Sequence, residues 1–402
     1  MRKQEPGPPG TSSPMSPAPV GPVSGAVVQR GISGERGITP AAQRPEFLIA
    51  HDEQLVEPEM LARINAARAH PSPGIPHEEI VREFGVTPPS LVLARSRSGK
   101  LAQFTTDRLI PTASALLSLL SKLALPQPTL VFRGQSDAHA GLEPSIERVT
   151  ADGTTWPAKE EYIRREFKRR AHHYLLDLPR EEDELGWLAL MRHHGAPSRL
   201  LDWTNSPFVA AFFAALGAKD NERFVVWAIN QAKLKQRALG VLRDPDVMAI
   251  LRERNGQFKE EDLASWEQFI GSPENFRAAF LSPEPRRSPN RRSARPLPRL
   301  VVPVEPYRTN ERLTIQQGLF VCANSVARPF EETLQAELCD AKAGRSWLHK
   351  LVVEPGARFE LLAQLDKMNI TEATLYPGLD GFARSLRISA EIAGKETGQT
   401  LL

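Results

Sequence analysis

A chain of 402 residues is ample for a real core, as one large domain or two ordinary ones, and 41% apolar with 25% charged residues is the balance of a globular protein. A net charge of +3 is too small to argue for nucleic acid by itself, and two cysteines, Cys322 and Cys339, are too few for a disulfide framework or a structural zinc site, so no metal is expected. There is no uninterrupted apolar stretch of about 18 residues and no apolar run after Arg2 and Lys3, so no membrane span and no signal peptide are expected, and a reducing cytoplasm fits best.

Residues 1–45 hold nine prolines and seven glycines and few large apolar side chains. Such a segment cannot bury enough surface to offset its ordering entropy, and a disordered tail is expected. Residues 46–86 read as a small helical pair. One helix starts at Glu57-Pro58 with Met60, Leu61, Ile64 and Ala67 on a stripe, and the second runs from Pro76 towards Gly85. Two short helices make no core alone, so 46–86 is expected to pack on the main body or on a partner protein. The phrase between Ile64 and Gly85 resembles the C-terminal tails of some bacterial antitoxins. Residues 87–105 read as a linker.

A helix is expected from about Pro111 to Leu125, with Ala115, Leu116, Leu119, Leu120 and Leu123 on its apolar face. Leu130-Val131-Phe132 reads as a strand broken by Gly134. An arginine at a strand end beside a glycine suits a phosphate or carboxylate, because the guanidinium fork pairs with two oxygens and glycine lets a ligand approach the backbone. A salt bridge from Arg133 to a glutamate of the next helix is the competing reading. Residues 158–176 read as an amphipathic helix with Ile163, Phe167, Ala171, Tyr174 and Leu175 on one face. Its basic cluster, Arg164 to Arg170, could track phosphates or be a solvated face.

A helix from about Glu182 to His194 leads into the densest run of chemically capable residues, Arg192 to Pro207. The run holds two imidazoles, two guanidiniums, a carboxylate, an indole and three hydroxyls. Gly195 and Pro197 mark a helix end, and Ser206-Pro207 caps and starts the next helix, so a loop presenting side chains is expected between them. The alternative is that Arg199 and Asp202 form a buried ion pair that pins the loop. Phe224 to Ile229 reads as a buried strand, and 231–282 as mostly helical and polar. Between Ser282 and Pro306 lie seven prolines and six arginines, which indicate a basic loop. Strand character resumes at Leu300. A helical turn, a glycine break and a strand follow over 310–322, then a strand over 349–353, a helix over 359–367 and a last helix over 379–392.

Four segments recur together: Phe132-Arg133-Gly134-Gln135; His193-His194-Gly195 through Arg199, Asp202, Trp203 and Thr204; Arg312 with Gln316-Gln317-Gly318 and Phe320; and Leu375-Tyr376-Pro377 with Asp380-Gly381. In this order and spacing they resemble the bacterial FRG domain, over about 115–392 apart from 231–299. More remotely, the layout is similar to that of the ADP-ribosyltransferases. That likeness implies that Arg133 holds the phosphates of NAD, that Thr204 and Ser206 brace a ribose, and that Gln317 stands where many such enzymes keep a glutamate. A glutamine carries no charge to stabilise an oxocarbenium ion, so Asp202 or Glu311 would have to serve, or the domain binds without turnover.

These readings give an expected α+β fold whose mixed or antiparallel sheet is built from 129–133, 224–229, 300–303, 319–323 and 349–353. The expected organisation is a tail over 1–45, a helical accessory segment with linker over 46–105, and the main domain over 106–394 with a helical and basic insertion at about 231–299. The catalytic candidates are Gln317, Asp202, His193 and His194. The ligand-binding candidates are Arg133, Gly134, Gln135, Arg199, Trp203, Thr204 and Ser206, with NAD or a related nucleotide as the ligand, in a toxin or phage-defence setting. The alternative is a nucleic-acid or nucleotide-binding module without catalysis, using the basic helix 164–170 and the arginine loop 286–299. A third reading is an interaction protein in which these motifs only hold the fold. A metal hydrolase on His193, His194 and Asp202 is disfavoured, since adjacent histidines on a helix do not face one way.

Overall fold

The computed structural model describes Leu101 and residues 105–125, 129–149, 156–281, 297–341 and 347–396. The tail expected over 1–45, the helical pair over 46–86 and most of the arginine loop, up to residue 296, lie outside the described residues. Seven strands form one sheet: β1 (Thr105–Ile110), β2 (Leu130–Gln135), β3 (Leu201–Thr204), β4 (Phe224–Asn230), β5 (Val301–Val304), β6 (Gly318–Ala323) and β7 (Leu348–Val353). Their order is β1-β7-β4-β2-β3-β6-β5, antiparallel throughout except for the parallel pair β1–β7. The fold is therefore α+β on a mixed sheet.

All five expected strands are present, and two more appear. Thr105, assigned to a linker on sequence grounds, opens β1, an edge strand whose residues Asp107, Arg108 and Leu109 are exposed and whose polar composition hides it. Leu201 to Thr204, read as part of a loop, is β3, and it lies next to the centre of the sheet. Its alternation is that of a strand: Leu201 and Trp203 are buried in one core while Asp202 and Thr204 face the other way.

Thirteen helices are described: α1 (Ala113–Ala124), α2 (Trp156–Ala171), α3 (Glu184–His193), α4 (Pro207–Leu216), α5 (Gln231–Leu242), α6 (Pro245–Arg254), α7 (Trp266–Gly271), α8 (Pro273–Phe276), α9 (Glu311–Ile315), α10 (Phe330–Asp340), α11 (Arg358–Lys367), α12 (Glu372–Leu375) and α13 (Leu379–Glu396). α2 stops at Ala171, so Tyr174 and Leu175, expected on its apolar face, lie beyond it, and Tyr174 is exposed. One core joins α1, α4 and α11 to Phe132, Val226 and Leu351. A second sets Val131, Trp203, Trp227 and Leu319 against Phe330, Leu334 and Leu338 of α10. A third is built on the segment read as polar. Trp266, Phe269, Phe276 and Phe280 pack with α3 and with Val302, Phe320 and Cys322, so the helices after residue 231 carry a core of their own against the β5–β6 edge.

The helix α4 begins as its sequence requires. Ser206 Oγ accepts from the Val209 amide at 3.3 Å and Pro207 occupies the first turn. Its alanines are fully buried, which lets its backbone lie directly on β2.

One buried group sets a pH dependence. Glu337 of α10 is 1% exposed, its carboxylate oxygens have no hydrogen bond among the described residues, and Arg237 faces it with Nε at 3.8 Å. Burial pushes the Glu337 carboxyl up to about 7. A carboxyl raised in the fold binds its proton more tightly than in the unfolded chain, so stability is highest below the ordinary carboxylate range and falls as pH rises through about 7. Glu337→Gln is expected to remove that decline, gaining roughly 2–3 kcal/mol at alkaline pH relative to the native chain. Urea unfolding of both proteins across this pH range checks it.

Candidate functional site

The strands that carry the motifs are neighbours. β2 meets β3 at one residue pair, Phe132 with Thr204, and β3 pairs with β6 from Thr204–Gly318 to Leu201–Val321. Where β2 and β3 no longer pair, the Arg133 side chain fills the gap, and its Nη1 donates to the Asp202 carbonyl at 2.7 Å. That bond satisfies a strand acceptor left without a ladder partner. A cleft of about 290 Å³ opens here, walled by β2, β3, the ends of α3 and α9, and Tyr376.

Asp202 is the centre of the charge arrangement. Arg192, in the last turn of α3, grips its carboxylate as a fork, with Nε 2.9 and 3.1 Å from the two oxygens and Nη2 also in contact. Arg133 Nη1 lies 3.9 Å from the same carboxylate. Burial alone would raise the Asp202 carboxyl, but Arg192 and then Arg133 outweigh it and hold it below the usual carboxylate range. Burial lowers Arg133 to about 10, against the pull of Asp202, so it remains a cation at neutral pH. Its Nε is buried without a hydrogen-bond partner among the described residues, as is the indole N–H of Trp203.

The far wall comes from α9 and the turn after α12. Thr204 Oγ1 donates to the Gln316 carbonyl at 2.6 Å and accepts from the Ser206 amide at 3.0 Å. Gln316 Nε2 donates to the Leu375 carbonyl at 2.9 Å, which ties the third motif to the fourth. Tyr376 is held among arginines: the guanidiniums of Arg312 and Arg384 lie 4.4 and 4.7 Å from its ring centroid, and Phe213 meets it edge-on.

Of the residues singled out from sequence, Arg133, Gly134, His193, Asp202, Trp203 and Thr204 line the cleft. The others sit elsewhere. Gln317 adopts a left-handed conformation, φ 48°, and its side chain is exposed, while its carbonyl accepts from the Asn205 amide at 2.9 Å. The glutamine on the wall is its neighbour Gln316. His194 is exposed, with its ring edge-on to His193. Gln135 is spent on structure, accepting from the Trp227 indole at 2.5 Å and donating to the Gly141 carbonyl at 2.9 Å. Ser206 is the cap of α4. Arg199 is buried against Glu160 and donates to the Phe280 and Asn324 carbonyls at 2.7 and 3.2 Å. The Arg199–Asp202 pair of the alternative reading does not form, because Asp202 belongs to Arg192 and Arg133. Sequence reasoning did not assign Arg192, Arg312, Gln316 or Tyr376 to the site, although each stands in a quoted motif or run.

The basic face of α2 is largely neutralised. Lys168 reaches Glu184 at 2.9 Å, a carboxylate shared with Arg164, and Glu166 takes both Arg169 and Arg170, at 2.8 and 3.0 Å. Among the described residues no group of three or more His, Cys, Asp or Glu side chains is placed to hold a metal ion, and no helix is long and apolar enough to cross a membrane.

Residues 128–223 match the family model of the FRG domain. The match takes in Arg133, Arg192 and Asp202. Arg312, Gln316 and Tyr376 lie beyond it yet fold onto the same cleft. No curated protein and no solved structure matches the chain.

Proposed function

The chain carries an FRG domain, and we propose that the cleft between its β2 and β3 strands binds a phosphate-bearing nucleotide of the NAD class. The observation that carries this reading is the charge of the wall. Three guanidiniums, Arg133, Arg192 and Arg312, line the cleft with one carboxylate, Asp202, among the described residues, beside the partly exposed Phe213 ring and the Tyr376 ring that Arg312 covers. A surplus of fixed positive charge suits phosphate, and aromatic faces suit a base. At about 290 Å³ the cleft is at the small end for ligand pockets, so it would take one nucleotide half of a dinucleotide and leave the other at the mouth.

A second reading, ADP-ribosyl transfer, is favoured by strand order: the arginine strand β2, the Thr204 strand β3 and β6, whose start follows Gln316 by two residues, are consecutive in the sheet. On that reading Asp202, the carboxylate on the wall, is the group that would stabilise positive charge on a ribose. Its pairing with Arg192 reduces the field it can offer, which makes binding the better supported function.

The test is calorimetric titration of NAD and ADP-ribose, with nicotinamide release followed in parallel. Arg312→Ala is expected to weaken binding on the order of tenfold without loss of fold, since Arg312 is half-exposed on a short helix. Binding without release supports the module; release abolished by Asp202→Asn supports the transferase; no binding of either ligand defeats both.

A further inference from the structure

We infer that the cleft holds its ligand's phosphate between Arg312 and His193 rather than on Arg133, and that this makes binding stronger in acid. The inference rests on the nucleotide reading above and specifies where its anion sits. It follows from which cations are already engaged. Arg192 is committed to Asp202 through its fork. Arg133 spends Nη1 on the Asp202 carbonyl and lies beside the same carboxylate, and its unpartnered Nε is itself buried rather than presented to the cleft. Arg312 has no carboxylate partner among the described residues. Its guanidinium rests over the Tyr376 ring, an interaction that leaves N–H groups at its edge to donate to an anion. His193, the last residue of α3, lines the same cleft and is half-buried there.

Several charged or titratable groups lie around His193. Arg192 is on its own helix and His194 caps that helix, Asp202 comes from β3, Arg133 from β2 and Arg312 from α9. The one carboxylate among them is matched by Arg192, so the remaining influence is cationic. Burial first, then His194 and Arg312, hold the His193 imidazole below its ordinary value. It is therefore mostly neutral at neutral pH, and the anion site is only half charged. A phosphate seated between the two groups would offset Arg312 and favour the imidazolium. The bound form then has the higher His193 pKa. Affinity is greatest below the free-state value and is lost as pH rises through the bound-state value.

The 402-residue chain would be titrated with sulfate, a phosphate surrogate whose charge is constant from about pH 5 to 8, the range in which imidazole changes charge. Imidazole NMR signals follow His193, assigned by its absence in His193→Gln. Sulfate is expected to raise the His193 pKa, and each unit of rise makes binding about tenfold tighter at the acid end than at the alkaline end. His193→Gln should flatten the pH profile. Arg312→Gln should weaken sulfate at every pH and let His193 of the free protein move back up. A pH-flat affinity, or one unchanged in His193→Gln, overturns the subsite. NAD binding with a pH-flat sulfate response would leave the nucleotide reading standing and defeat this one. An acid-favoured sulfate site in a protein that binds no nucleotide would do the reverse.

Discussion

Gly134→Ala is expected to destabilise the protein by about 4 kcal/mol or more, above the usual range for overpacking. A Cβ at this position would stand 2.0 Å from the Ala210 carbonyl oxygen and 2.6 Å from the Ala214 amide nitrogen. Both atoms are backbone, so no rotamer change relieves the clash. The helix α4 must lift off the sheet. Its sheet-facing residues Ala210, Ala211, Ala214 and Ala215 are wholly buried, and the Phe132 and Phe212 rings fill the space around them. Lifting the helix opens voids along that row, and each void adds to the cost. The glycine of the first motif thus serves helix docking, where its sequence context had pointed to ligand approach. Gly240 in α5 is the control: a Cβ there meets nothing within 4 Å among the described residues, so Gly240→Ala should be neutral or stabilising by about 0.5–1 kcal/mol. Denaturant midpoints of the two variants test the pair. A Gly134→Ala midpoint close to that of the native chain would mean that α4 is not seated as closely as described.

The residues that were legible in the sequence are those whose role is local. Ser206-Pro207 announces a helix start because capping needs only a hydroxyl and a fixed φ. Phe224 to Ile229 announces a strand because every side chain is buried. β3 has only four residues, and the polar groups around it suit a loop equally well. α10 was passed over although Phe330, Leu334 and Leu338 recur at helical spacing.

The site is harder to read because it depends on strand order. Arg133, Asp202 and Gln316 meet only because β2, β3 and β6 are adjacent, which no spacing in the chain records. Choosing between Gln316 and Gln317 is a matter of one residue of phase. The left-handed backbone at Gln317 turns the chain into β6 and leaves Gln316 on the wall. Arg192 and Arg199 are alike as residue types, and both lie within ten residues of Asp202. Burial separates them: Arg192 reaches the cleft, whereas Arg199 finds a carboxylate inside the core.

That core pairing leads to the other large expected effect. Arg199 and Glu160 have side chains only 5% and 4% exposed. The guanidinium also bonds the carbonyls of Phe280 and Asn324, so it joins α2, the segment before β3, the end of the third core and the loop after β6. Arg199→Met leaves the Glu160 carboxylate buried with no countercharge and is expected to cost about 3–5 kcal/mol. Arg199→Lys should recover only part of this, because an ammonium cannot reproduce the fork and the carbonyl bonds together. The double variant Arg199→Met with Glu160→Leu should recover most of it, since desolvating both charges offsets much of what their attraction returns. A double-mutant cycle by thermal unfolding measures the difference, and a double variant no more stable than Arg199→Met would refute the account. The same cycle separates structure from chemistry at the cleft. Arg199 precedes Asp202 by three residues, so ligand binding should fall in the unstable single variant and return with stability in the double. A ligand contact made by Arg199 itself would leave binding lost in both.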